Sequence, residues 1–285
     1  MKETAKARLG LIASMVIFGS IGIFRRYIPL PSGMIGACRG LMGALFLFVV
    51  SRLRGQRMDV QGLRPSLLKL IFSGIAMGFN WILLFEAYRY TSVATATLCY
   101  YMAPVFVILA SPFLLKEKLT PGKLLCVLAA VAGVALVGGV GEGGSLTGVL
   151  LGLGAAVLYA TVVLMNKTLS GVSTEDRTML QLASAGLVLM PYSLLAENLS
   201  GVDMTGMSLA MLLVVGAVHT GLAYWLYFGS MKALSGQTVA LYSYIDPIVA
   251  ILLSALILGE ALTPLGIVGA VLCRYRGHAR NKQRQ

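Results

Sequence analysis

Charge is what this 285-residue chain has least of: Asp, Glu, Lys and Arg make up 12% of it, against 58% apolar side chains. An ordinary soluble domain carries about a quarter charged residues, so that class is excluded. Histidine occurs twice and cysteine four times, far apart in sequence. Cys38, Cys99, Cys126 and Cys273 all fall in apolar stretches without paired spacing, which suits small buried hydrophobes rather than disulfides or metal ligands. Also missing are a G-x-x-x-x-G-K-[ST] nucleotide loop, an H-E-x-x-H metal helix and a G-x-S-x-G nucleophile turn. No cofactor, no metal and no enzyme chemistry is therefore expected. No connection is long enough to fold as a separate soluble domain.

What is present is apolar length. Blocks at 9–28, 33–50, 67–88, 91–115, 124–140, 147–166, 178–196, 208–228, 237–258 and 264–273 give ten candidate spans. The expectation is an all-α polytopic membrane protein in the plasma (inner) membrane. The first block lacks a small-x-small cleavage pattern and reads as an anchor. With the amino terminus cytoplasmic, nineteen of the 23 basic residues fall on the inner side, among them Arg52, Arg54, Lys116, Lys118, Lys167, Arg177 and Lys232. Outer connections carry Glu142, Glu197, Asp203 and Glu260. The formal charge of +12 is thus a topology signal in a lipid bilayer and not a nucleic-acid footprint. The tenth block, Pro264 to Cys273, would cover only ~15 Å as a helix, about half the hydrocarbon core. It is expected to be short.

Residues 92–121 return at 235–264, at a constant offset of 143, with thirteen of thirty positions identical. Ser92/Ser235, Tyr101/Tyr244, Pro104/Pro247, Glu117/Glu260 and Thr120-Pro121/Thr263-Pro264 are kept, whereas Lys116 and Lys118 become Gly259 and Ala261. A copy that keeps apolar and turn residues but sheds lysines fits halves inserted in opposite orientations, the pattern of many transporters. The boundaries read as 1–141 for the first five-helix repeat, 142–273 for the second and 274–285 for a basic cytoplasmic tail.

Pro104 and Pro247 fall in the middle of the fourth and ninth blocks. Each removes a backbone donor and is expected to kink its helix, as a hinge near the midplane, where transporter sites concentrate. Asp246 stands one residue before the second kink, and its repeat mate is the uncharged Ala103. A carboxylate at that depth costs ~2.5 kcal/mol or more, so it should face a wet cavity, a cation or a proton. Arg39 is either its partner, a tie between helices, or a fork for a substrate carboxylate. His219 is a candidate proton relay to Asp246, or a hydrogen-bonded structural histidine. Glu86 and Arg89, three apart, form an intrahelical pair or an outer gate. Asn80, Trp81, Tyr101 and Tyr244, with Asp246, are the expected cavity lining, suited to an amphipathic metabolite, an amino acid or an organic cation. Gly36-x-x-x-Gly40 and Gly148-x-x-x-Gly152 allow close helix approach, within the bundle or in a dimer.

Ala87 to Ala96, then Ala103-Pro104-Val105-Phe106, then Glu117-Lys118-Leu119-Thr120-Pro121, resembles the closing part of an EamA-type repeat of the drug/metabolite transporter superfamily. Tyr244-Ile245-Asp246-Pro247 followed by Gly259-Glu260-Ala261-Leu262-Thr263-Pro264 resembles its second copy, and Arg39 the arginine often found in the repeat's second helix. The resemblance implies a ten-helix bundle of two inverted five-helix repeats that moves small organic solutes across the plasma membrane, commonly outward. The alternatives are a non-transporting membrane receptor or assembly protein, and an intramembrane enzyme.

Overall fold

A computed structural model of the protein describes residues 2–91, 93–122, 124–125, 127–128, 145–169 and 171–258. The described residues are helical or in turns, with no strand. In hydrocarbon every backbone N–H and C=O needs a partner within its own segment, and the helix supplies it. The chain runs α1 (Lys2–Arg25), α2 (Ser32–Leu53), a short α3 (Val60–Leu63), α4 (Leu67–Tyr90), α5 (Val93–Tyr100), α6 (Ala103–Leu114), α7 (Leu146–Thr168), α8 (Thr174–Ala196), α9 (Gly206–Gly216), a π-helical turn (Ala217–Leu222), α10 (Ala223–Ser230), α11 (Gly236–Tyr242) and α12 (Ile245–Leu258).

Six stretches among the described residues are long and apolar enough to cross a membrane: Glu3–Arg25, Ser32–Leu53, Val60–Tyr90, Leu146–Thr168, Thr174–Ala196 and Gly206–Ser230. These match the first, second, third, sixth, seventh and eighth blocks. The fourth and ninth blocks are each broken into two shorter helices, α5–α6 and α11–α12. Most of the fifth block and all of the tenth, with the tail 274–285, lie outside the described residues, as do Cys126 and Cys273. Cys38 and Cys99 are free thiols.

The polarity of the bundle follows its solvent. Leu68, Phe113 and Leu195 point outward, each more than 80% exposed, whereas Ser73, Asn80, Gln181 and Thr220 are fully buried. Inside, polar side chains tie helices together: Gln181 Nε2 of α8 donates to Ser73 Oγ of α4 at 2.7 Å. The small-residue ladders work within the chain. Gly40 on α2 meets the backbone of Gly186 on α8, and Gly152 on α7 meets Ala96 and Cys99 on α5.

The helix starts carry side-chain caps that the sequence advertises. Ser173 Oγ accepts from Asp176 N at 3.0 Å, Thr205 Oγ1 from Ser208 N at 3.2 Å, and Ser235 Oγ from Thr238 N at 3.1 Å. The eighth block holds a feature that hydropathy does not show. At Ala217–Leu222 it widens into a π turn, with Thr220 Oγ1 bonding back to Val215 O at 2.9 Å.

Candidate functional site

The two prolines do not kink continuous helices, as the sequence suggested. The chain instead leaves the helix at Tyr101-Met102 and at Ser243-Tyr244, and then restarts. Pro104 is in the first turn of α6, and Pro247 is the third residue of α12. The physical reason is that a first-turn residue has no intrahelical N–H bond to lose, so the missing donor costs nothing there. The breaks fall at the same level of both repeats, and Tyr244 Oη donates across to Tyr101 O at 3.5 Å.

A cavity opens where the four half-helices meet, lined by Met15 and Phe18 of α1, Tyr100, Tyr101, Ala103 and Pro104, Tyr159 of α7, Ser243 and Asp246. Tyr100 and Ser243 are repeat mates at the offset of 143, and so are Ala103 and Asp246. The cavity therefore sits on the junction between the two copies. Its volume is about 30 Å³, near the share of a single water and far below the few hundred Å³ of a metabolite site. Around it runs an aromatic wall. Tyr100 and Tyr159 have ring centroids 5.7 Å apart, Tyr100 and Tyr101 6.1 Å, and Tyr159 stacks on Tyr227 at 6.4 Å with their hydroxyls bonded at 2.9 Å. Phe18 closes the other side, 4.9 Å from Tyr224 and 6.1 Å from Tyr227.

Asp246 and Tyr101 line this cavity, and Tyr244 braces it from the neighbouring break. Asn80 does not line it. Its Nδ2 donates to Ala155 O at 2.5 Å, which ties α4 to α7 and turns the amide into the helix interface. Trp81 is 4% exposed and lies beneath Arg39, whose guanidinium carbon stands 4.4 Å from the ring centroid. Arg39 thus packs face-on to an aromatic ring. Among the described residues the one ion pair is Arg89 with Glu86, at 3.1 Å, so Arg39 and Asp246 are not directly paired. The Glu86 carboxylate also accepts from Tyr192 of α8, which turns the intrahelical pair into an α4–α8 tie.

His219 is 2% exposed and sits in the π turn. Its Nε2 is 3.1 Å from Ser20 Oγ, its Nδ1 is 3.5 Å from Val214 O, and its ring lies 4.5 Å from that of Phe24. None of these neighbours lines the Asp246 cavity.

Sequence reasoning missed Phe18, Tyr159 and Ser243. Ser243 was accessible through the offset from Tyr100. Phe18 and Tyr159 lie in blocks one and six, where only packing shows which face turns inward. Gly19 does carry a signal, since glycine recurs where helices touch. A Cβ on Gly19 would stand 2.6 Å from Asp246 O and 2.8 Å from Val249 Cβ, so α1 presses directly against α12 at the acid.

The geometry has counterparts. A crystal structure 19% identical in sequence superposes with a TM-score of 0.79 over 94% of both chains, and so shares the fold. The chain is 31% identical over 275 residues to the uncharacterized transporter YxxF of Bacillus subtilis, covering 94% of this chain and 88% of the relative. It is 26% identical to the uncharacterized transporter YvbV of the same organism, covering 95% and 91%, and 25% identical to the protein RarD of Salmonella typhi, covering 91% and 88%. The EamA-like transporter family matches twice in tandem, at residues 5–139 and 146–274. Two family repeats around paired helix breaks, in a multi-pass membrane chain, place this protein in the EamA-like transporter family.

Proposed function

We propose that this membrane transporter carries small amphipathic metabolites bearing an amine, amino acids among them, outward across the plasma membrane by alternating access. The observation that carries the reading is a carboxylate, Asp246, set in an aromatic-walled cavity at the junction of two broken helices. Half-helices meeting at the centre of an inverted repeat form a favoured transporter site. A carboxylate ringed by Phe18, Tyr100, Tyr101 and Tyr159 suits an ammonium group, attracted by charge on one side and by ring faces on the other. Arg39, stacked on Trp81, holds a second charge for the carboxylate of a zwitterion.

The cavity of about 30 Å³ is too small for such a solute, so its walls must part for transport. Halves 1–141 and 142–273 rocking about the breaks at Tyr101-Met102 and Ser243-Tyr244 would open it to each side in turn. Both termini are assigned to the cytoplasm by the positive-inside bias. Asp246 carries the coupling proton in this scheme, exchanging it for the solute.

The test is uptake into proteoliposomes of pooled labelled amino acids, amines and nucleosides, with and without a pH gradient, for the native chain and Asp246→Asn. Saturable, gradient-sensitive uptake of amines that the substitution abolishes is the expected result. Uptake indifferent to the gradient removes proton coupling, and uptake unchanged in Asp246→Asn moves the site elsewhere. No uptake by a correctly folded chain favours the receptor reading.

A further inference from the structure

A second cavity lies away from Asp246, at the basic end of the bundle, where α7 ends, α8 begins and the chain turns from α10 into α11. It measures about 480 Å³ and is walled by Lys167, Arg177, Lys232 and Asn166, with Leu169 and Val172 at its apolar edge. Three cations converge here, and the way they are held matters. Lys167 Nζ donates to Met231 O at 2.8 Å and Leu234 O at 2.6 Å, and Arg177 donates from Nη1 to Asn166 O at 3.1 Å and from Nη2 to Phe228 O at 3.3 Å. These partners are neutral carbonyls at or just beyond helix ends. They fix the cations and satisfy part of their hydrogen bonding, but they cancel no charge.

The nearby acids Glu117 and Glu175 offset part of this charge, but each is held by neutral donors and not by a cation. Glu117 accepts from Gly236 N and Gln237 N, and Glu175 accepts from the Trp225 indole at 2.9 Å. No ion pair forms among the described residues of this cluster. Arg177 is 1% exposed and its Nε, wholly buried, has no hydrogen-bond partner. A buried guanidinium donor without an acceptor is costly, so the hydrogen bonding of Arg177 is left incomplete. Lys232 stands at the mouth, where partial desolvation and the Arg177 charge hold its ammonium below the usual lysine range against the opposing pull of Glu175. An anion in the cavity relieves that repulsion.

We propose that this cavity binds a phosphate ester, with Arg177 and Lys232 donating to the phosphate oxygens and Lys167 supplying charge behind them. A planar guanidinium beside two ammonium groups is the donor set that phosphate oxygens match. Basic pockets between helices on the cytoplasmic side recognise lipid headgroups, and the same chemistry takes a soluble phosphate ester. Binding there joins α7, α8 and the α10–α11 turn through one anion.

The full chain, purified in a neutral detergent, is titrated with dihexanoyl phosphatidylglycerol, dihexanoyl phosphatidylcholine and glycerol 1-phosphate, reading the unfolding temperature. Three proteins are compared: native, Lys232→Gln and, as a control on the same end of the bundle, Arg54→Gln. The expected result is saturable stabilisation by phosphatidylglycerol and not by phosphatidylcholine, about tenfold weaker in Lys232→Gln for the loss of one charge-assisted contact, and unchanged in Arg54→Gln. Glycerol 1-phosphate acting alike identifies a soluble ester as sufficient, and its failure identifies the lipid as the source. No saturable stabilisation, equal affinity in Lys232→Gln, or equal loss in Arg54→Gln overturns the proposal. Should Lys232→Gln not fold, the native chain is tested by native mass spectrometry, where equal retention of phosphatidylglycerol and phosphatidylcholine overturns it. Neither readout depends on transport.

Discussion

Glu117, at the end of α6 in the first repeat, grips the start of α11 in the second: its carboxylate accepts from Gly236 N at 2.7 Å and from Gln237 N at 3.1 Å. At the opposite end of the bundle Glu197, following α8, does the same to the start of α2, accepting from Gly33 N at 2.7 Å and Met34 N at 2.8 Å. Each carboxylate fills the open donors of another helix's first turn, where the helix dipole favours negative charge. One clasp therefore joins the halves at each end.

Glu117→Gln keeps the shape and removes the charge, so it is expected to cost about 1–2 kcal/mol, as other lost caps do. Glu197→Gln should cost a similar amount, and the double variant should show the sum because the two sites share no partner. Thermal unfolding in detergent measures this. An unfolding temperature unmoved by either substitution would show that the clasps do not hold the halves together.

Lys116 has φ +55°, the sole described non-glycine residue in the left-handed region. It ends α6 and turns the chain so that Glu117 N reaches back to Ser111 O at 3.3 Å. A non-glycine residue there costs ~1–2 kcal/mol, and glycine's extra freedom in the unfolded chain costs ~0.5–1 kcal/mol. Lys116→Gly is thus expected to stabilise by roughly 0.5–1 kcal/mol, and Lys116→Ala to bring no gain. Comparing the unfolding temperatures of the two variants checks the sign. Gly259, its mate in the sequence repeat, is the residue such a position favours.

Gly19→Ala sets a methyl against the Asp246 carbonyl and Val249, where nothing but hydrogen now fits. Overpacking of this kind costs about 1–3 kcal/mol. The variant is expected to lower the unfolding temperature and to reduce uptake along with it. The control Gly22→Ala, which meets no atom within 4 Å, should leave uptake unchanged and raise the unfolding temperature slightly through helix propensity.

Asn80 and Tyr101 looked alike from the sequence, and the structure separates them. Asn80→Ala leaves Ala155 without its added bond and opens the α4–α7 interface, an expected loss of ~1–3 kcal/mol in stability with KM for the transported solute unchanged. Tyr101→Ala enlarges the cavity and should raise KM, beyond whatever stability the lost ring costs. Kinetics and thermal unfolding on the same preparations decide between the two patterns, and a raised KM in Asn80→Ala would return that residue to the solute path.

That the chain is helical, membrane-embedded and built of two related halves can be read from its linear order of residues. Hydropathy and charge bias act on each segment separately against one uniform solvent, so they survive in a linear reading. Asp246 was legible for the same reason, because a carboxylate in hydrocarbon is costly wherever the helix faces. Folding in three dimensions breaks and restarts the helices ahead of the prolines, brings Phe18 and Tyr159 onto Asp246 while Asn80 turns away, lays Arg39 on Trp81, and carries Glu117 and Glu197 across the halves. Those outcomes depend on the rotation of each helix about its axis and on which faces meet. In a bilayer, which gives no direction to an apolar face, that rotation is fixed by close packing and polar contacts across the whole bundle.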